Sequence, residues 1–217
     1  MAHIFWDLDG TIWDASAAIA VAWTEVFNQR GLAKKITDND IRSVAGKPYL
    51  ECLKIVVPQA LEWAGFSELL DDLTVAEQKC LKEMGGVFYP KAIESIRLLA
   101  NNHQLYIVSN CNRWYLDTFL QLSSLEDIFR DAICFTTRNE DKGKNIKYLM
   151  EKFSIPNGYY VGDTMGDKIA AISNGLVFLH AKFGYDATVS SQLSFDTFVE
   201  LVDFFSQTDS RGVIYEV

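Results

Sequence analysis

Five short apolar runs, most of them followed by a stretch of helical character, constrain this chain more than any other feature. Ile4–Trp6, Gln104–Ser109, Ala132–Thr136, Tyr159–Val161 and Val177–Leu179 read as strands. Helices are predicted at Ala92–Asn101, Arg113–Leu122, Asn145–Phe153, Asp167–Asn174 and Phe195–Phe205. Strands that alternate with helices pair in parallel, because each helix carries the chain back across the sheet. The expected fold is therefore α/β: a Rossmann-like, mainly parallel sheet with helices on both faces.

The first strand needs that same sheet, yet a long stretch without strands separates it from the second. Ser16–Arg30 has Ile19, Trp23, Val26 and Phe27 at helical spacing, and Gly31 as a natural stop. Thr37-Asp38-Asn39-Asp40 offers N-cap chemistry for a short helix ending near Gly46. Pro48 opens another helix through Ile55, and Glu68–Met84 forms a longer one. The expected organisation is a core of residues 1–14 and 86–217 interrupted by an all-helical insertion, residues 15–85.

Ligand sites in open parallel sheets lie at the carboxyl ends of the strands. Polar residues fall there repeatedly. Asp7 and Asp9 follow the first strand, and Ser109-Asn110 ends the second. Thr136-Thr137 ends the third, with Lys142 and Lys144 beyond it. Gly162-Asp163-Thr164 follows the fourth, with Asp167 one helical turn later. Asp7 and Asp9 point the same way if the chain stays extended. Converging carboxylates repel, and a bound cation or a shared proton relieves them. An isolated Asp-x-Asp-Gly would read equally as a solvated turn; the motifs downstream set this one apart.

A net charge of −9, with no run of Lys or Arg, argues against a nucleic-acid surface. An acidic protein that handles an anion needs a local positive group, a metal or a placed lysine. No apolar stretch approaches the roughly 20 residues that span a bilayer. The chain opens directly on a strand, so no signal peptide is legible. Cys52, Cys80, Cys111 and Cys134 are widely spaced, with no Cys-x-x-Cys pattern. These features lead to the expectation of a reduced, cytoplasmic protein, monomeric or homodimeric.

The set Asp7-Leu8-Asp9-Gly10-Thr11, Val108-Ser109-Asn110, a following Lys, and Gly162-Asp163-Thr164-Met165-Gly166-Asp167 resembles the haloacid dehalogenase superfamily. The resemblance spans nearly the whole chain in the right order, with the helical insertion where subclass I members carry their cap. It implies Asp7 as a nucleophile that forms an aspartyl-phosphate. It implies Asp9 as the acid that protonates the leaving oxygen and then the base that activates water. Mg²⁺ would be held by Asp7, the Asp9 backbone carbonyl and Asp163, with Asp167 binding it directly or through water. Ser109, Asn110, Thr11 and the lysine would serve the phosphate, Thr11 also steadying the nucleophile loop. The lysine is Lys142 on the Lys-Gly-x-Asn-Ile pattern, with Lys144 the alternative. Asp14 either steadies the junction with the cap or caps the next helix.

The activity implied is that of a Mg²⁺-dependent phosphatase acting on a small phosphorylated metabolite, similar to phosphoglycolate phosphatases. A β-phosphoglucomutase-like mutase shares every core motif and is the alternative. A non-catalytic binding protein is a further one, opposed by the presence of both Asp7 and Asp9. Dehalogenases and phosphonatases are disfavoured because they lack an Asp at position 9. Lys47 is expected to be solvated, though it could meet a second anionic group. Trp13, Trp23 and Trp63 are expected in the core. His3, His103 and His180 lack metal-ligand spacing, and His180 could stand near the rim of the site.

Overall fold

The computed structural model describes residues 1–211, with side chains through Gln207. Its strands are β1 (His3–Trp6), β2 (Trp13–Asp14), β3 (Val87–Phe88), β4 (Gln104–Ser109), β5 (Asp131–Cys134), β6 (Tyr159–Gly162), β7 (Val177–Ala181) and β8 (Ser194–Phe195). Six of them form one sheet in the order β5-β4-β1-β6-β7-β8. Every pairing in it is parallel. The chain fills one side through β4 and β5, then returns across β1 to lay down β6, β7 and β8. The order therefore reverses at β1, and a crevice opens there at the carboxyl ends of β4, β1 and β6.

Both faces of the sheet are buried, which explains why its strands read as continuous apolar runs. Ile4, Trp6, Leu105, Ile107, Tyr159 and Val161 turn to one side, and Phe5, Tyr106, Val108 and Tyr160 to the other. Trp6 stacks on Phe198 at 5.9 Å between ring centroids. Burying such a side chain contributes about 1.5–3 kcal/mol.

Helices α1 (Ser16–Gln29), α2 (Asp38–Arg42), α3 (Tyr49–Val56) and α4 (Phe66–Met84) lie between β2 and β3, with a 3₁₀ turn at Pro58–Glu62. Thr37 caps α2 through a reciprocal capping box with Asp40. The flanking β2 and β3 pair antiparallel, Trp13 opposite Phe88 and Asp14 opposite Val87. This ribbon is absent from the sequence reading; two residues a strand are too short to show a period. Downstream lie α5 (Ala92–Ala100), α6 (Arg113–Ser123), α7 (Phe135–Arg138), α8 (Lys142–Lys152), α9 (Met165–Ile172) and α10 (Phe198–Arg211). No helix among the described residues is long and apolar enough to cross a membrane.

Four expected boundaries are corrected. The strand expected to run to Thr136 stops at Cys134, because the Thr137 hydroxyl meets the Cys134 backbone and opens α7. The helix expected from Asn145 starts at Lys142, since Asp141 accepts the Lys144 N–H and caps it. The helix expected from Asp167 starts at Met165, capped by Thr164. The helix expected from Phe195 starts at Phe198; Ser194–Phe195 is instead the edge strand beside β7. Residues 212–217 of the expected core segment lie outside the described residues.

Candidate active site

Asp7 is the first residue beyond β1, and its backbone N–H still donates to Val161 O at 2.9 Å. The ladder thus delivers its side chain to the crevice. The chain then folds tightly, with Ile12 N–H donating to Leu8 O at 2.9 Å. Gly10 sits in this turn at φ +79°, a left-handed conformation that glycine adopts without penalty. A Cβ there would collide with the Asp163 carboxylate and the Tyr185 ring. Gly10→Ala is therefore expected to cost about 2–4 kcal/mol, combining left-handed strain with displacement of Asp163. Chemical denaturation of the variant checks it; an unchanged midpoint would show that the turn relaxes freely.

Lys142 Nζ, nearly inaccessible, donates to Asp7 Oδ1 at 2.6 Å and to Asp167 Oδ1 at 2.5 Å. It stands at the first position of α8. Its stripe, Lys142, Asn145, Ile146 and Leu149, is the buried face of that helix. Lys144 lies on the outer face, 64% exposed, paired with Glu140 at 2.7 Å. Asp167 Oδ2 closes a capping box with Thr164, accepting its backbone N–H at 2.9 Å and its hydroxyl at 2.6 Å. Asp163, fully buried, accepts the Thr11 hydroxyl at 3.3 Å and the Tyr185 backbone N–H at 2.8 Å. Thr11 faces Asp163 and is itself fully buried.

Asp7, Asp163 and Asp167 each offer an oxygen within 4.8 Å of the others. Three buried carboxylates against one ammonium is an unbalanced set. Burial and the Asp167 charge hold Asp7 above the usual carboxylate range against the pull of Lys142. Burial, then Asp167 and Asp7, push Asp163 well above it too. Burial opposes the charge on Lys142, but Asp167 and Asp7 outweigh it and keep the amine well above its ordinary value. A cluster of hard oxygens with excess negative charge fits a divalent cation such as Mg²⁺.

Asp9 is separated from this cluster. Its Oδ1 accepts the hydroxyl of Tyr115, from α6. Burial pushes its carboxyl up to about 6, with the Tyr115 bond restraining the shift. The two aspartates that extended geometry would converge thus take different partners, while both line one cavity of about 120 Å³. Ser109 and Asn110 line it as well. Ser109 Oγ accepts the Cys111 N–H at 3.3 Å. Asn110 reaches across to the helical block, donating from Nδ2 to Gly46 O at 2.6 Å. Asp14 joins the pieces of the junction: Oδ1 accepts the Ser16 N–H at 2.9 Å and the Tyr185 hydroxyl at 2.8 Å, and Oδ2 meets Arg42 at 2.8 Å; the N-cap of α1 is Ala15, not Asp14.

Sequence reasoning missed Tyr115, Tyr160 and Tyr185. Tyr160 donates to Val108 O at 2.8 Å, and its ring lies 5.8 Å from Lys142 Nζ. Their partners are remote in sequence, so no local pattern marks them. His180 is buried in β7, held by Ser194 Oγ and Asp186 O at 3.3 and 2.9 Å. Trp23 lines the cavity; Trp13 packs in the core between Tyr115 and Phe119.

The family model described as haloacid dehalogenase-like hydrolase matches residues 4–181. The chain belongs to that family. Among curated relatives, it is 27% identical to a phosphoglycolate phosphatase of Neisseria gonorrhoeae, over 87% of this chain and 84% of the relative. A solved haloacid dehalogenase-like family protein of Streptococcus pneumoniae superimposes with a TM-score of 0.77 at 20% identity, covering 94% of this chain and 98% of that one. A structure described as a predicted phosphoglycolate phosphatase, from Haemophilus somnus, gives a TM-score of 0.80 at 19% identity, covering 94% and 98%. At such identities these structures show the shared fold. Like the family, this haloacid dehalogenase-like chain is a hydrolase enzyme.

Proposed function

We propose that the chain is a Mg²⁺-dependent phosphatase that moves the phosphoryl group of a small phosphomonoester to Asp7 and then to water. The observation that carries this reading is Lys142 bridging Asp7 and Asp167 beside Asp163, at the switch point of the sheet. The curated relatives named as phosphoglycolate phosphatases support the same activity class.

Lys142 holds Asp7 through Oδ1, which leaves Oδ2 to attack phosphorus. Lys142, rather than Lys144, is the lysine for this task, and with Ser109 it would hold the phosphoryl oxygens. Tyr115 occupies Asp9 Oδ1, so the proton that Asp9 carries resides on Oδ2. A carboxyl near 6 suits both duties: giving that proton to the departing alcohol, then taking one from the water that attacks the aspartyl-phosphate. Hydrolysis of that acyl phosphate returns Asp7 as a carboxylate and releases inorganic phosphate. Asp7 and Asp163 would hold Mg²⁺ through side-chain oxygens and Asp9 through its backbone carbonyl, with Asp167 behind them. When bound, the ion offsets the repulsion between carboxylates and phosphate dianion and stabilises charge on the phosphoryl oxygens. The helical block 15–85 would act as a cap over the core of residues 1–14 and 86–217.

The test is a screen of small phosphate esters with phosphate release as readout. Chelation by EDTA is expected to silence turnover, and added Mg²⁺ to restore it. Full activity in chelator would remove the ion from the reaction, and no release from any ester would remove the phosphatase.

A further inference from the structure

The cavity extends beyond the reacting groups into a region that the phosphoryl chemistry does not use. There it is lined by Ser16, Ile19 and Trp23 of α1, Tyr49 of α3, Glu77 of α4 and Trp114 of α6. A cavity of about 120 Å³ has room for a compact ester beside the reacting groups.

Glu77 is out of place by the rules of its own helix. The buried stripe of α4 runs Leu69, Leu73, Glu77, Cys80, Leu81, so a carboxylate occupies a position where helical periodicity calls for an apolar side chain. It is 2% exposed. No lysine, arginine or histidine pairs with it among the described residues; its partners are the Trp23 indole N–H at 2.5 Å and the Tyr49 hydroxyl at 2.6 Å. Burial pushes its carboxyl up to about 7, the two bonds holding it from going further. An amide would accept those bonds without the cost of a buried charge, so a structural latch alone does not account for the acid.

Both bonds fall on the same oxygen, Oε1. Oε2 accepts none among the described residues. Ser16 Oγ, also lining the cavity and 3% exposed, has no partner either. In its ionised form Glu77 can only accept, so a ligand that brings a donor to Oε2 both completes its bonding and favours that form.

We infer that Glu77 sets specificity for the leaving group, selecting phosphate esters whose alcohol portion carries a hydrogen-bond donor, a hydroxyl or an ammonium, that reaches Oε2. The inference rests on the phosphatase reading above. It also separates this chain from the substrate for which its curated relatives are named, because phosphoglycolate ends in a carboxylate, which brings no donor to Oε2. Lys47 is the single cation among the lining residues. It is 42% exposed and lies 3.7 Å from Glu51 on the next helical turn, at the solvent side of the cavity lining.

The experiment is a matched series of short primary phosphate esters ending in ammonium, hydroxyl, methyl or carboxylate, assayed with Mg²⁺ alongside p-nitrophenyl phosphate. The donor-bearing esters are expected to exceed the methyl ester in kcat/KM by about tenfold or more, and the carboxylate ester by a wider margin. Ammonium and hydroxyl arms separate the two donor sources. In Glu77→Gln the ratio of donor-bearing to methyl ester is expected to collapse toward one, chiefly through KM. A merely structural Glu77 would depress all four esters together and leave the ratio intact. If the variant does not fold, the native series decides alone: a flat profile, or preference for the carboxylate ester, overturns the inference while p-nitrophenyl phosphate hydrolysis preserves the phosphatase. If no ester turns over, the phosphatase reading falls. Calorimetric binding of the same four esters to the native protein then reads the subsite directly, and equal affinities overturn it.

Discussion

Asp7→Asn is expected to lower turnover by a factor on the order of 10⁴–10⁶ without lowering the melting temperature. The first half follows from chemistry: an amide oxygen lacks the charge to displace an alkoxide from phosphorus. The second follows from the surroundings. Asp7 is one of three buried carboxylates within 4.8 Å, and burial with the Asp167 charge already disfavours its ionised form. Replacing it with a neutral isostere removes a repulsion, while Lys142 keeps Asp167 at 2.5 Å. Phosphate release and a melting curve on the same preparation check both halves. Near-normal hydrolysis would show that Asp7 is not the nucleophile; a large fall in melting temperature would show that the inactive variant had lost its fold.

Lys142→Met carries the opposite signature: both stability and activity fall. Removing the ammonium strands Asp7 and Asp167 with little solvent to replace it, and breaking a buried pair in this way costs about 3–5 kcal/mol. The loss should depend on pH with a definite sign. With the lysine gone, Asp7 and Asp163, which burial already holds above the usual carboxylate range, lose the ammonium's downward pull and rise further, so the folded state binds more protons than the unfolded state near neutrality. Stability then declines as pH rises and recovers toward about pH 5. Lys144→Met, on the exposed face of the same helix, is expected to stay within about 0.5 kcal/mol of the parent. Turnover of the Lys142 variant is expected to drop by about 10²–10³. Urea titrations of both variants in chelator at two pH values make the comparison. Equal losses, or the larger loss in Lys144→Met, would reverse the assignment.

The choice between these lysines shows where the sequence is legible. The two lie two residues apart in a polar stretch, and the Lys-Gly-x-Asn-Ile pattern favours Lys142 with Lys144 as the alternative. The helix supports the same choice: with Asp141 as cap, position 142 shares a face with Asn145, Ile146 and Leu149, and position 144 does not. That stripe is visible in the sequence, but only once the helix start is placed three residues earlier than apolar periodicity places it. The parallel sheet is legible because each strand is a buried apolar run that ends in a polar residue. Asp7, Ser109 and Asp163 can be placed for that reason. Tyr115, whose hydroxyl fixes Asp9, is not legible, because the contact joins residues 106 apart and α6 shows only a helical face. Glu77 is an intermediate case. Its place on an apolar stripe is a local inconsistency that a closer reading of α4 could find, although its partners come from two other helices.

The β2–β3 ribbon bears on how substrate enters. The helical block joins the sheet through two chain crossings, and the ribbon zips them together, Trp13 to Phe88 and Asp14 to Val87. A domain hung from a single strand could swivel about it and tilt in any direction. Two strands bonded side by side resist both twist and sideways shear, which leaves bending across the ribbon as the soft coordinate. On the proposed reading of residues 15–85 as a cap, the block would bend about this ribbon as a flap. A hydrogen bond at its far edge, such as Asn110 to Gly46, acts with the leverage of a catch on a hinged lid.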